Sequence, residues 1–223
     1  MKVILFGGSG MVGSGLLLES FDDPRVTEVV SVSRSASRYR HPKLREVLHQ
    51  DFFDYSSIMT DLAGASACLF CLGVSAAGLS EAEYTRQTHG LTLAAARAVL
   101  RASPPVNFCY VSGQGTDGTG RSRMMWARVK GKTENALLEL GFKGAYMFRP
   151  GYIQPLRGVR SKTRLYQAMY TVAAPLTALL TPLLANSITT TATLGRALIE
   201  VGLNGYSKPI LATADINAVG RAA

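Results

Sequence analysis

The chain has 223 residues, 47% apolar and 17% charged, which excludes a disordered chain and fits one α/β domain with at most a small appended lobe. The net charge is +9 and the pI about 9.7, yet no long run of Lys or Arg occurs; looser basic groups lie at Arg34 to Arg45 and Arg157 to Arg164. Such a surface can draw phosphate-bearing small molecules, nucleic acid or an anionic membrane, and scatter by itself is an ordinary solvated face.

In chain order, short apolar or β-branched runs alternate with longer helical ones, the pattern of βαβ units and a parallel sheet. The spacing predicts a strand at Lys2 to Phe6, a glycine loop at Gly7 to Gly13 and a helix from Met11 to Phe21, ended by Asp22-Asp23-Pro24. Strands at Thr27 to Ser33 and Leu44 to His49 follow, then a short helix at Ser57 to Leu62. Ala67 to Leu72 reads as the fourth strand and Gly73 to Leu79 as its loop. A long helix runs from Glu81 to Ala102, with Pro104-Pro105 behind it. Val106 to Val111 is the fifth strand, Ser112 to Arg121 a loop with four glycines, and Arg123 to Leu140 a helix. Gly144 to Phe148 is the sixth strand, ending at Arg149-Pro150-Gly151.

The expected fold class is therefore α/β: a Rossmann-type doubly wound parallel sheet over residues 1–155, with a small C-terminal lobe over 156–223 in the same structural domain. In the lobe, Tyr166 to Ala185 is apolar, Thr193 to Leu203 helical, and Ile210 to Thr213 a last strand. Ala168 to Ala185 carries no charge over eighteen residues, the lower limit for a membrane-spanning helix. Pro175 and Pro182 interrupt it, and Thr171, Thr177 and Thr181 dilute it. It reads as a buried or subunit-facing helix, which suits a homodimer, against the alternative of a membrane-surface helix flanked by Arg157, Arg160, Lys162 and Arg164.

Cys68 and Cys71 have the CxxC spacing of redox or metal sites. In a strand, positions three apart face opposite sides, so this pair does not clasp one metal. Packing cysteines in a reducing compartment fit better, and His41, His49 and His89 show no ligand spacing, so no metal is expected. Met1 to Phe6 runs into the glycine loop without a cleavage pattern, and the cytoplasm is the expected compartment.

Gly7, Gly10 and Gly13 form GxxGxxG, a variant of the dinucleotide fingerprint. One glycine makes the tight turn after the strand, another lets the backbone approach a pyrophosphate, and the third lets the helix pack closely on the sheet. Ser9, Gly10, Met11 and Val12 then offer the loop and the free amides of a helix start to phosphates. The strand before, the helix after and the second strand about twenty residues on supply the context that a bare glycine pattern lacks. At the end of the second strand, where an acidic residue would hold the ribose 2′-hydroxyl of NAD, stand Ser33-Arg34-Ser35, with Arg38 and Arg40 nearby. A guanidinium fork binds a 2′-phosphate that a carboxylate repels, so NADP(H) is expected over NAD(H). Asp51-Phe52 follows the third strand; its carboxylate can accept a bond from the adenine amino group or act as a turn residue.

With these residues in place, the chain resembles the short-chain dehydrogenase/reductase superfamily, in its atypical and extended group of NAD-dependent epimerase/dehydratase-like proteins, and most nearly the Tat-interacting-protein-like branch. The likeness covers residues 1–155 and adds Cys71-Leu72-Gly73, Val111-Ser112-Gly113, Val129-Lys130-Gly131-Lys132 with Glu134, and Phe148-Arg149-Pro150-Gly151 to the glycine loop and Ser33-Arg34. It implies that Cys71, Leu72 and Gly73 line the cofactor, that Ser112 bonds the substrate carbonyl and that Lys130 holds the nicotinamide ribose. It also places Arg149, Pro150 and Gly151 in the turn beside the nicotinamide.

The family's YxxxK reads Trp126-Ala127-Arg128-Val129-Lys130 here, and no Tyr occurs between Gly113 and Leu140. The spacing keeps both side chains on one helix face, but an indole N–H is a donor that does not titrate usefully. Another acid could stand in, with Tyr84, Tyr110 and Tyr152 as candidates by type; a flavin- or quinone-type acceptor could need none; or the protein could bind cofactor without turnover. The readings are an NADP(H)-dependent oxidoreductase or epimerase-like enzyme on a small molecule, a non-catalytic NADP(H)-binding regulator, and a nucleic-acid or membrane-surface binder. The third rests only on charge and the uncharged stretch. The aromatic-basic interleaving of single-strand binders is missing, so no nucleic-acid partner is expected.

Overall fold

The computed structural model describes residues 1–159 and 187–223. Its strands are β1 (Lys2–Phe6), β2 (Glu28–Ser33), β3 (Leu44–Leu48), β4 (Ala67–Phe70), β5 (Asn107–Val111), β6 (Gly144–Arg149), β7 (Tyr152–Gln154), β8 (Ile188–Thr190) and β9 (Ile210–Ala212). The main sheet has the order β3-β2-β1-β4-β5-β6-β9, with every pairing parallel. β7 and β8 form a separate parallel pair.

A parallel sheet is covered on both faces, so its strands read as near-continuous apolar runs. Apart from Lys2, every residue of β1 and β4 is buried. Because successive side chains point to opposite faces, these runs feed two cores. Ile4, Phe6, Val30, Phe70 and Phe108 enter one, and Val3, Leu5, Val29, Leu69 and Phe148 the other. The first core is closed by α2 (Met59–Leu62), α4 (Leu91–Ala102) and α5 (Met125–Leu138), through Leu62, Leu93 and Leu137. α1 (Met11–Asp22) closes the second through Leu16 and Leu17, joined by α6 (Thr191–Asn204) and α7 (Thr213–Ala222) through Leu198 and Ile216. The fold is the Rossmann-type doubly wound sheet that the sequence led us to expect.

The CxxC cysteines go to opposite cores, as strand geometry demands: Cys68 joins the first and Cys71 packs against the second. Burial pushes the Cys71 thiol up to about 12 and those of Cys68 and Cys109 well above the usual range. Among the described residues no group of three His, Cys, Asp or Glu could hold a metal ion.

Three features differ from the sequence reading. The helix from Glu81 to Ala102 is split: α3 (Glu81–Thr85) passes through a π-helical turn at Arg86–Gly90 into α4. Such turns are rare and occur mostly as single turns inside α-helices, and here His89 Nδ1 is buried without a partner among the described residues. The β7–β8 pair was not anticipated, since three residues are too few to show a period of two. α7 was also missed, although Asp215 accepts a bond from the Ala212 amide at 3.1 Å at its start, as an N3 acid does.

Part of the scattered positive charge is spent on ion pairs. Arg25 meets Asp23 and Glu200, Arg45 meets Glu28 and Asp61, and the buried Glu19 receives Arg157 at 2.9 Å and Arg196 at 3.0 Å. The uncharged stretch from Ala168 to Ala185, the homodimer and membrane-surface alternatives resting on it, and Arg160, Lys162 and Arg164 lie outside the described residues. Among those described, no helix is long and apolar enough to cross a membrane.

The side chain of Leu198 is fully buried between α6 and the sheet. Leu198→Ala is expected to lower unfolding stability by about 3 kcal/mol in urea titration; a loss below about 1 kcal/mol would contradict this packing.

Candidate active site

In doubly wound sheets ligands sit outside the C-terminal strand ends where the strand order reverses. Here that point lies between β1 and β4, whose following loops meet. Gly7 has φ +87°, and a Cβ there would lie 2.8 Å from the backbone of Cys71 and Leu72. A Cβ on Gly13 would lie 2.2 Å from the Gly7 carbonyl oxygen. Neither position has room for a side chain. Gly10 closes the turn, its N–H donating to the Gly7 carbonyl at 2.9 Å. α1 then starts with no side-chain cap and no acidic residue in its first turn. The amides of Met11, Val12 and Gly13 have no intrahelical partner by position, and no carboxylate there competes with an anion for the helix N-terminus.

At the end of β2, Ser33 is buried and its hydroxyl donates to the Ser35 carbonyl at 2.7 Å. Arg34 is exposed; its carbonyl accepts from the Gln50 side chain at 2.9 Å, and no acid pairs with its guanidinium among the described residues. The neighbouring arginines are occupied: Arg38 stacks on Tyr39 with its guanidinium 5.0 Å from the ring centre, and Arg40 pairs with Glu46 at 3.3 Å. Asp51 is exposed and its carboxylate accepts from the Phe53 amide at 2.9 Å, a turn role. The Phe52 ring is buried against His49 and Tyr55.

Beyond β4, the loops that leave the same sheet edge enclose an open cavity of about 690 Å³. Its walls include Ser112, Trp126, Lys130, Pro150, Gly151 and Tyr84. The Ser112 hydroxyl donates to the Phe148 carbonyl at 3.1 Å, and the Lys130 ammonium donates to the Ser112 carbonyl. Burial brings the Lys130 pKa down to about 8, against the pull of Glu134 one turn on. Trp126 lies one turn before Lys130 on the same face. Its ring edge rests on Gly115, where φ is +86° and a Cβ would come within 3.3 Å of Cη2. Lys130 is the one charged side chain among the described residues lining the cavity.

The structure thus gathers Gly7 to Gly13 with Cys71, Leu72 and Gly73 at one place, and Ser112, Trp126, Lys130, Pro150 and Gly151 at another on the same edge. It does not bring the Phe52 ring or the Arg149 guanidinium to either. Arg149 instead grips the fully buried Glu134, with Nε 3.1 and 3.2 Å from its two oxygens. Of the candidate phenols, Tyr110 is buried in the core with Thr92 and Thr133 as partners, whereas Tyr84 and Tyr152 reach the cavity. Sequence reasoning missed the wall made by Gly113, Gln114 and Gly115, which the Gln114 amide ties to the Pro150 carbonyl at 2.8 Å. The four glycines of that loop were the signal, since a backbone running close to other groups favours them.

The lowered Lys130 pKa has a consequence for stability. The unfolded chain, with an ordinary lysine, holds one more proton than the folded protein between about pH 8 and 10.5, so this group makes unfolding harder as pH rises through that window. Against Lys130→Met, the wild type is expected to gain stability from pH 8 to 10; parallel profiles would contradict the burial.

No family model matches the chain. Curated relatives include protein fmp52, mitochondrial, of Emericella nidulans, 31% identical over 175 residues, covering 75% of this chain and 72% of the relative. Another is protein fmp52-1, mitochondrial, of Aspergillus terreus, 30% identical over 173 residues, with 75% and 72% covered. Among solved structures, the dTDP-glucose 4,6-dehydratase DesIV of Streptomyces venezuelae, with NAD and TYD bound, superposes with a TM-score of 0.65 at 16% identity, over 99% of this chain and 80% of that one. The Bordetella bronchiseptica enzyme WbmF in complex with NAD+ gives 0.66 at 14% identity, over 97% and 76%. At such identities the structures show a shared fold. The names of the curated relatives overturn the expectation of a cytoplasmic compartment, because each carries the word mitochondrial; a missing cleavage pattern in the first residues was too little to decide it. On the identity and coverage of these relatives, the chain belongs to the fmp52 family.

Proposed function

We propose that the chain binds a nicotinamide dinucleotide, NADP(H) in preference to NAD(H), and is a short-chain dehydrogenase/reductase-type oxidoreductase on a small molecule. The observation that carries this reading is the uncapped start of α1 behind two glycines that admit no Cβ, on the same sheet edge as the Ser112–Lys130 cavity. The loop amides would hold the pyrophosphate, and Arg34, without an acidic partner among the described residues, a 2′-phosphate. Cys71, Leu72 and Gly73 would form the floor, and Lys130 would hold the nicotinamide ribose. The cofactor supplies hydride transfer. The Ser112 hydroxyl, turned from the Phe148 carbonyl, would donate to a substrate carbonyl. The NAD named in the titles of several fold neighbours supports a nicotinamide cofactor, while Arg34 supports the 2′-phosphate. The Val129 to Lys132 run with Glu134 supports the finer likeness to the Tat-interacting-protein-like branch.

Trp126 favours a second reading, a cofactor-binding regulator without turnover, because the proton donor of the family motif is absent. Substrate-dependent NADPH oxidation that disappears in Lys130→Ala would decide for the enzyme.

Calorimetric titration with NADPH and NADH tests the cofactor assignment. NADPH is expected to bind at least about ten-fold tighter, a difference of about 1.4 kcal/mol, and Arg34→Glu is expected to erase or reverse that preference. Tighter NADH binding would refute the role of Arg34; binding of neither would refute both readings.

A further inference from the structure

We propose that the cavity takes a planar conjugated acceptor of the quinone class, stacked on the Trp126 indole and reduced without a protein acid. This rests on the cofactor reading above and names its substrate class.

Trp126 occupies a built seat. The loop below it carries Gly115 at positive φ, and any Cβ there would meet the indole edge. From this seat Trp126 lines the cavity, whose other walls include the aromatic Tyr84 and Tyr152 and the apolar Val74 and Pro150. Flat rings prefer offset stacking or edge contact with one another. The cavity carries a single charge, the Lys130 ammonium, and no carboxylate among its described lining residues.

The chemistry selects the same class. Hydride addition to an isolated carbonyl makes an alkoxide about as basic as hydroxide, roughly pKa 16 on the scale of water, so a donor must supply a proton as the bond forms. An indole cannot. Tyr84 and Tyr152 are poor substitutes, because burial pushes both phenols above their ordinary values. A quinone differs. It takes the hydride and its two electrons from the reduced nicotinamide, which leaves as the oxidised cofactor. The product is a hydroquinone monoanion with a phenol-like pKa of about 10. That is about a million-fold less basic than the alkoxide, so it persists beside the Lys130 ammonium until water protonates it. One quinone, one reduced cofactor and one proton become one hydroquinone and one oxidised cofactor.

The chain has a single tryptophan, so intrinsic tryptophan emission reports the proposed contact directly. With NADP+-loaded protein, menadione is expected to quench this emission saturably, and cyclohexanone to leave it unchanged. With NADPH, menadione is expected to be reduced at least about a hundred-fold faster than cyclohexanone. In steady-state turnover with NADPH, Trp126→Phe should keep the menadione KM and Trp126→Leu should raise it about ten-fold or more, and unchanged far-ultraviolet circular dichroism certifies the folding of both. Trp126→Tyr, which restores YxxxK, should gain cyclohexanone reduction. Quenching that never saturates, equal rates on the two acceptors, or an unchanged menadione KM in Trp126→Leu would overturn the proposal. If NADPH itself does not bind, the cofactor reading fails; if it binds and menadione behaves as cyclohexanone does, only this inference fails.

Discussion

The site depends on a backbone approach that tolerates no side chain. β1 ends at Phe6, and the next residue turns so tightly that its Cα faces the peptide between Cys71 and Leu72; six residues on, Gly13 sits against the Gly7 carbonyl. Those two contacts set where α1 begins, and α1 carries Leu16 and Leu17 into the second core. The same contacts press the loop after β4 against the loop after β1. The sheet then spreads in opposite directions from this pair, so the loops at its C-terminal edge converge around one line. A side chain at either glycine would push apart the elements on which the rest of the edge is built.

Electrostatics divides the basic residues into two groups. Some are held by the fold: Glu19 draws in Arg157 and Arg196, and Glu134, fully buried, draws in Arg149. A buried carboxylate without such a partner would cost several kcal/mol, so these arginines are held in place by need. Two others lie at the site. Lys130 is held at the cavity by one backbone carbonyl, and Arg34 extends from the end of β2 unpaired among the described residues. The net charge of +9 is therefore a poor guide to partners, and the position of the unpaired cations a better one.

The fold was legible because parallel strands buried on both faces leave apolar runs, and Gly and Pro punctuate them. The glycine loop was legible because its glycines answer a steric demand that spacing records. What stayed hidden is what spacing does not encode. Arg149 and Pro150 are adjacent, yet one side chain turns to Glu134 and the other faces the cavity, a choice made by a partner fifteen residues away. Phe52 sits beside Asp51 but follows the apolar core. The π-helical turn inside the long helix leaves the apolar pattern intact and is invisible to it. Tyr84, Tyr110 and Tyr152 were equal by residue type; only their place in the fold separates the one in the core from the two at the cavity.

Under the proposed function, the glycine loop and the Trp126–Lys130 cavity are two ends of one dinucleotide site. Energy transfer from Trp126 to NADPH tests this most directly, because the reduced nicotinamide absorbs where tryptophan emits. Excitation of the tryptophan is expected to produce sensitised NADPH emission that saturates with the calorimetric binding curve and that Trp126→Phe removes. NADPH binding with normal affinity but without energy transfer would place the nicotinamide away from the cavity and contradict a shared site.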